Sequence, residues 1–140
     1  MTDEKIATLK ILAVEDDFMV RQVLRDILEI YGTVDIAVNG EEALQAFRVA
    51  WRKKTPYDLI CMDIMMPVMD GNQALEKIRE VEKAMGIHGR EEVKVIMITA
   101  LDDAKTVVKA YAKGGATSYI VKPIEKERLI NEIREIGLMG

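Results

Sequence analysis

At 140 residues the chain has room for one domain and little beyond it, and with 49% of its side chains apolar it can bury a sizeable core. Its 24 acidic and 20 basic residues leave a net charge of −4 with the two signs mixed, which argues against the basic surface of a nucleic-acid binder. A single cysteine, Cys61, excludes an intrachain disulfide and a cysteine-built zinc site and suits a reducing cytoplasm. The first residues carry no signal-peptide core, and no apolar run approaches the ~20 residues of a membrane helix. The nine methionines are spread along the chain and read as flexible core filler.

Residues 1–8 are polar and read as a flexible tail. Leu9 to Val14 is a short apolar run, the pattern of a buried strand, and it ends on Glu15, Asp16 and Asp17. Val20, Val23, Leu24, Ile27, Leu28 and Tyr31 then recur at helical spacing, with Gly32 expected as the closing cap. Val34 to Val38 is a second strand. Asn39 and Glu42 have the spacing of a capping box and open a helix with Ala43, Leu44, Phe47, Ala50 and Trp51 on one face. Leu59 to Met62 is a wholly apolar strand that delivers one acid, Asp63. Pro67 stops further ladder pairing, and Asp70-Gly71 turns the chain into a helix carrying Ala74, Leu75, Ile78, Val81 and Met85, closed at Gly86. A polar loop over 86–92 holds the only histidine, His88. Val93 to Ile98 is a fourth strand, rich in β-branched residues, ending on Thr99 and Ala100. Asp102 or Asp103 can cap a fourth helix containing Val107, Val108, Tyr111 and Ala112, stopped at Gly114-Gly115. Ser118 to Val121 is a fifth strand ending on Lys122-Pro123, and Leu129, Ile130, Ile133 and Ile136 mark a last helix. Strands and helices in alternation at these lengths predict an α/β fold: a doubly wound, five-stranded parallel sheet with helices on both faces and right-handed crossovers.

Ligands of such sheets bind beyond the carboxyl ends of the strands. There the first strand delivers Glu15, Asp16 and Asp17, the third Asp63, the fourth Thr99 and the fifth Lys122. Carboxylates grouped around a hard cation suit Mg2+, which takes oxygen ligands, whereas neither Cys61 nor His88 is placed for zinc. A divalent cation beside a lone carboxylate and a lysine is an arrangement for handling phosphate, with the Thr99 hydroxyl as a further donor. Asp63 is placed as the nucleophile, because carboxylates form acyl phosphates. Each piece has a plainer reading: acids after a strand cap helices, and Lys-Pro is a common surface pair. Their coincidence at one end of consecutive buried strands is what favours a site.

The pieces ILAVEDD, DLICMDIMMPVMDG, VIMITA and YIVKPI, in this order, resemble the receiver domain of two-component response regulators over about Leu9 to Ile136. The resemblance implies a (βα)5, flavodoxin-like sheet with strand order 2-1-3-4-5, a receiver domain over 9–140 and no output domain in this chain. It implies Asp63 as the phosphoacceptor, served by a sensor histidine kinase or a histidine phosphotransfer protein. Glu15, Asp16, Asp63 and the backbone carbonyl of Met65 would hold Mg2+, with Mn2+ as an alternative. Thr99, the backbone N–H of Ala100 and Lys122 would stabilise the phosphoryl group, the Lys122-Pro123 peptide would be cis, and Thr99 with Tyr119 would form the switch. The readout implied is a repacking of the fourth helix, fifth strand and last helix, whose face controls a downstream effector protein. The chain is then a cytoplasmic phosphoacceptor switch and not an enzyme, a monomer or a phosphorylation-dependent dimer, with no DNA or membrane contact of its own. Glu15 stands where aspartate is commoner. Met65 and Leu101, both apolar, occupy positions that tune access of the hydrolytic water, so slow autodephosphorylation is expected.

Other features have bland readings. Lys105, Lys109 and Lys113 form a basic stripe that is a solvated face or a site for an acidic partner. Arg21 and Arg25 with Asp26 and Glu29 are expected to make i,i+4 surface pairs, on a helix that the resemblance puts near the kinase docking surface. Trp51 with Phe47 reads as the edge of the core. Two other functions remain in play. A Mg2+-dependent phosphohydrolase with an aspartyl-phosphate intermediate would need an acid two residues after Asp63, where Met65 stands. An unphosphorylated scaffold would have no need of the intact Glu15, Asp16, Asp63, Thr99 and Lys122 set.

Overall fold

The central strands are near-continuous apolar runs because both of their faces are covered. A computed structural model describes residues 9–100 and 115–138. In these, β1 (Leu9–Val14), β2 (Gly32–Ala37), β3 (Leu59–Asp63), β4 (Lys94–Thr99) and β5 (Ser118–Val121) form one parallel sheet in the order β2-β1-β3-β4-β5. The described helices are α1 (Phe18–Leu28), α2 (Gly40–Arg52), α3 (Gly71–Ala84) and α4 (Lys126–Glu135), with a 3-10 turn at Gly89–Glu91. The tail, the predicted fourth helix with its Lys105, Lys109 and Lys113 stripe, and Leu101 lie outside the described residues.

Side chains alternate across each strand, so the three central strands feed two cores at once. Leu12, Val14, Ile60, Met62, Val95 and Met97 pack with Phe47 of α2 and Leu75 and Ile78 of α3. Ile11, Ala13, Leu59, Cys61, Ile96 and Ile98 pack on the other face with Leu24 and Leu28 of α1 and Leu129 and Ile133 of α4. Cys61 is fully buried there, and burial pushes its thiol up to about 12. Trp51 and Tyr119 are partly buried against the α2–α3 side.

Several boundaries and one cap differ from those the sequence predicts. The first helix ends at Leu28, with Glu29 as its C-cap, so Tyr31 is not on it and Gly32 is not its cap. Gly32 instead starts β2, where any side chain would run into the Leu9 backbone, with an added Cβ 1.8 Å from the carbonyl oxygen. That close strand approach, rather than helix termination, is why glycine stands there. In α2, Asn39 accepts from the Glu42 N–H as expected, but the Glu42 carboxylate reaches one residue further back, to the Val38 N–H. The reciprocal capping box occurs in α3 instead, between Asp70 and Gln73. β4 begins one residue later than predicted and includes Thr99.

Candidate functional site

Register decides which residues meet. Val14 of β1 lies beside Met62 of β3, so the next residues, Glu15 and Asp63, leave the sheet side by side. Thr99 of β4 lies beside Val121 of β5, which puts Lys122 at the adjoining edge. Alternation then selects the face. Ala13, Cys61 and Ile120 belong to the α1–α4 core, and two residues further on each strand stand Glu15, Asp63 and Lys122. Glu15 and Asp63 are buried, at 0% and 3% exposure. The Lys122 ammonium lies 3.2 Å from Glu15 Oε1 and 3.4 Å from Asp63 Oδ2, so it bridges the two acids. The Lys122-Pro123 peptide is cis. Thr99 is buried, and its hydroxyl donates to the Ala100 carbonyl at 3.3 Å.

The loop after β3 is wound tightly enough to keep Asp63 at the strand end. Gly71 donates its N–H to the Ile64 carbonyl at 2.7 Å, and a Cβ on Gly71 would stand 2.4 Å from the Asp63 carbonyl. Only glycine lets α3 start so close to the strand. Met69 N–H donates to the Pro67 carbonyl at 2.8 Å, a three-residue γ-turn whose central residue, Val68, has φ +69°. Met65, exposed on this loop, stands two residues after Asp63, where a methionine cannot move protons.

Burial pushes Glu15 up to about 7, against the Asp17 N–H that hydrogen-bonds it; Asp63 adds to the rise and Lys122 opposes it. Asp63 is raised too, first by burial, with Lys122 holding it down. Lys122 is itself raised: burial works against its charge, but Asp63 and Glu15 outweigh that. One lysine therefore serves two buried acids, which is one positive charge too few.

That deficit fits a divalent cation. Carboxylate oxygens of Glu15, Asp16 and Asp63 lie within 4.8 Å of one another, the one such acidic group among the described residues. Glu15 Oε1 is buried and has only the Lys122 ammonium near it, a contact it shares with Asp63 and one that falls short of a hydrogen bond. All donors are hard oxygens, as Mg2+ prefers.

Glu15, Asp16, Asp63, Thr99 and Lys122 stand at one edge of the sheet, and two contacts go beyond what the sequence predicts. The sequence assigns Lys122 to a phosphoryl group alone, whereas the period of two through 13/15, 61/63 and 120/122 also sets it beside Glu15. It assigns Arg21 to surface ion pairs. Arg21 turns to the acidic turn instead, its Nη1 donating to the Glu15 carbonyl at 3.1 Å and the Asp16 carbonyl at 3.2 Å.

Comparison with known proteins agrees with this geometry. The chain is 35% identical over 132 residues to a chemotaxis protein CheY of Treponema pallidum, covering 93% of this chain and 83% of that one. It is 38% identical over 124 residues to the two-component response regulator ORR41 of rice, Oryza sativa subsp. japonica, covering 86% and 88%. Among solved structures it superposes on the receiver domain of Ssk1 crystallised with the histidine phosphotransfer protein Ypd1 of Saccharomyces cerevisiae (TM-score 0.80, 28% identity, 94% and 90% covered). It likewise superposes on the CheX-CheY-BeF3-Mg+2 complex of Borrelia burgdorferi (TM-score 0.78, 27% identity, 97% and 98% covered). Residues 11–134 match the response regulator receiver domain family, and with the sheet order and the acidic edge in place the chain belongs to that family, the receiver domains of two-component response regulators.

Proposed function

We propose that Asp63 is the phosphoacceptor of a Mg2+-dependent signalling switch. The observation that carries this is the buried Asp63 beside the buried Glu15, two acids that share the single Lys122 ammonium. An Oδ of Asp63 attacks phosphorus, the P–N bond to the donor's imidazole breaks, and that nitrogen keeps the electron pair. Glu15, Asp16, Asp63 and the Met65 carbonyl would hold the cation, Mg2+ or Mn2+, which would supply positive charge for the phosphoryl oxygens. Lys122 moves its charge from the two carboxylates to the phosphoryl group. The Ala100 N–H and the Thr99 hydroxyl donate to phosphoryl oxygens, and for this Thr99 gives up its bond to the Ala100 carbonyl. Tyr119 follows Thr99, and the β5–α4 side of the sheet repacks for an effector protein.

The donor is a phosphohistidine on a sensor kinase or a phosphotransfer protein, and it docks over the mouth of the site. Support comes from the apolar rim there: Phe18, Met19 and Val23 are exposed on α1, and Val20, Val23, Pro123 and Ile124 line a groove of about 460 Å³ with Lys122. The switch works in the cytoplasm, which its single free cysteine, Cys61, suits. With Met65 in place of a second acid, the phosphorylated form is long-lived and turnover of phosphate esters is absent.

Acetyl phosphate or beryllofluoride with Mg2+, followed by intact mass and amide NMR shifts, tests the proposal with Asp63→Asn as the control. Stable modification that the variant loses supports the switch. Rapid turnover of many phosphate esters points to a hydrolase, and no response to either reagent points to a scaffold.

A further inference from the structure

The Arg21 guanidinium is spent on backbone. Its Nη1 donates to two successive carbonyls, Glu15 O at 3.1 Å and Asp16 O at 3.2 Å. Those oxygens belong to the two peptide planes on either side of the Asp16 Cα. Holding both planes fixes the backbone dihedrals of Asp16, and with them the direction in which its carboxylate leaves the chain. Asp16 needs this support, because its side chain is exposed and has no packing to orient it. Glu15 is held differently: it is buried, and its Oε2 accepts the Asp17 N–H at 3.1 Å. The guanidinium is steadied in turn by the Phe18 ring, whose centroid lies 5.6 Å from its central carbon. Arg21 enters α1 one turn after Asp17, which caps the helix through the Val20 N–H, so the guanidinium projects from a rigid element.

We infer that Arg21 is a positioning residue for the divalent-cation site, acting through the backbone of Glu15 and Asp16. The inference rests on the reading that Glu15, Asp16 and Asp63 take a cation. Two effects oppose each other here. As a positive charge near a cation site, Arg21 repels the ion, so by Coulomb's law alone its removal tightens binding. As a brace for Asp16, its removal lets the carboxylate sample directions away from the ion, which weakens binding. The sign of the change decides between them.

The experiment is a Mg2+ titration of the full chain by calorimetry and amide NMR shifts, for wild type, Arg21→Met, Arg21→Lys and Arg25→Met. Urea denaturation of each reports folding. Arg25 lies one turn further along α1 and supplies the charge control. Arg21→Met is expected to bind Mg2+ about tenfold more weakly, the scale on which outer contacts of metal ligands act. Arg21→Lys keeps the charge, but its nitrogen ends one bond short of the Nη1 position and lacks the fixed plane of a guanidinium, so it too is expected to weaken binding, by about threefold or more. Arg25→Met is expected to bind as wild type or slightly more tightly. Unchanged or tighter binding by folded Arg21→Met overturns the inference, as does full affinity in Arg21→Lys or an equal loss in Arg25→Met. If Arg21→Met fails to fold, Arg21→Lys against Arg25→Met decides. A wild-type chain that binds no Mg2+ overturns the cation reading, and this inference with it.

Discussion

Two glutamates, Glu15 after β1 and Glu82 near the end of α3, are equally hidden from water, each at 0% exposure. Their surroundings are opposite. Glu82 Oε1 pairs with Arg79 Nη1 at 2.7 Å, and its Oε2 accepts the Val93 N–H at 2.7 Å. The same guanidinium donates to the Val93 carbonyl at 2.9 Å and, through Nη2 and Nε, to the Gly115 carbonyl at 2.9 and 3.2 Å. One ion pair thus ties α3 to the start of β4 and to the approach to β5, and both carboxylate oxygens are satisfied. Glu15 Oε2 accepts the Asp17 N–H, but its Oε1 has only a lysine that it shares with Asp63. A buried charge that is fully paired holds a fold together. One left short of partners costs stability, and a fold keeps it where a ligand completes the set.

Breaking the satisfied pair should produce the largest effect. Glu82→Ala leaves the Arg79 charge and the Val93 N–H facing a gap, and should cost about 3–5 kcal/mol in urea denaturation. Arg79→Met strands the Glu82 carboxylate and should cost nearly as much. The double variant Arg79→Met/Glu82→Leu should recover much of the loss, because two apolar chains no longer bury an unpaired charge. Additive losses would show that the two residues do not act as a pair.

The unsatisfied acid should respond the other way. Glu15→Gln keeps the shape and the Asp17 contact, removes a charge that burial disfavours, and leaves Lys122 to Asp63. Without divalent cation its stability should stay within about 1 kcal/mol of wild type or exceed it. The same variant should lose most of the stabilisation that Mg2+ gives wild type. A loss as deep as that of Glu82→Ala would erase the distinction between the two sites.

Acidity offers a finer test of the same contrast. Glu15 titrates near 7 in the folded chain and near its ordinary 4.5 when unfolded. Between those values the folded state binds a proton that the unfolded state does not, so folding stability falls as pH rises from 4.5 to 7 and levels off above. Asp63 is shifted in the same direction. The cation-free chain should therefore melt a few degrees higher at pH 5.5 than at pH 8. Added Mg2+ should raise the melting temperature at pH 8 and do less at pH 5, where a proton holds the Glu15 carboxylate. Glu15→Gln should flatten both curves; a pH slope that persists in it would place the titrating group elsewhere.

The contrast also marks what the sequence could reveal. Strands buried on both faces announce themselves as apolar runs, and Asp63, Thr99 and Lys122 end such runs, so the site edge is legible from composition and order alone. Glu82 is not legible, because a glutamate on an amphipathic helix reads as solvent-exposed until its i,i+3 arginine is seen to fold inward with it. Arg21 is hidden for a related reason: its partners are backbone carbonyls, which leave no mark on residue identity. Gly32 misleads because glycine suits both a helix end and a close strand approach, and only the pairing of β2 with β1 chooses between them.

The smallest effect lies in the backbone of the site loop. Among the described residues two non-glycines adopt left-handed conformations, Val68 at φ +69° and Lys54 at φ +60°. A β-branched side chain suffers most there, by about 1–2 kcal/mol for ordinary residues, while glycine adopts it freely but raises the entropy of the unfolded chain. Val68 is 77% exposed, so its replacement forfeits little packing. Val68→Gly should therefore gain about 0.5 kcal/mol in urea denaturation, and Lys54→Gly, beyond the end of α2, should gain less. If both gain equally, the strain belongs to the left-handed conformation in general. If Val68→Gly gains more and also slows labelling of Asp63 by acetyl phosphate, the γ-turn stores strain that holds the loop over the acid, and the site end of the sheet is under tension in its backbone as well as in its charges.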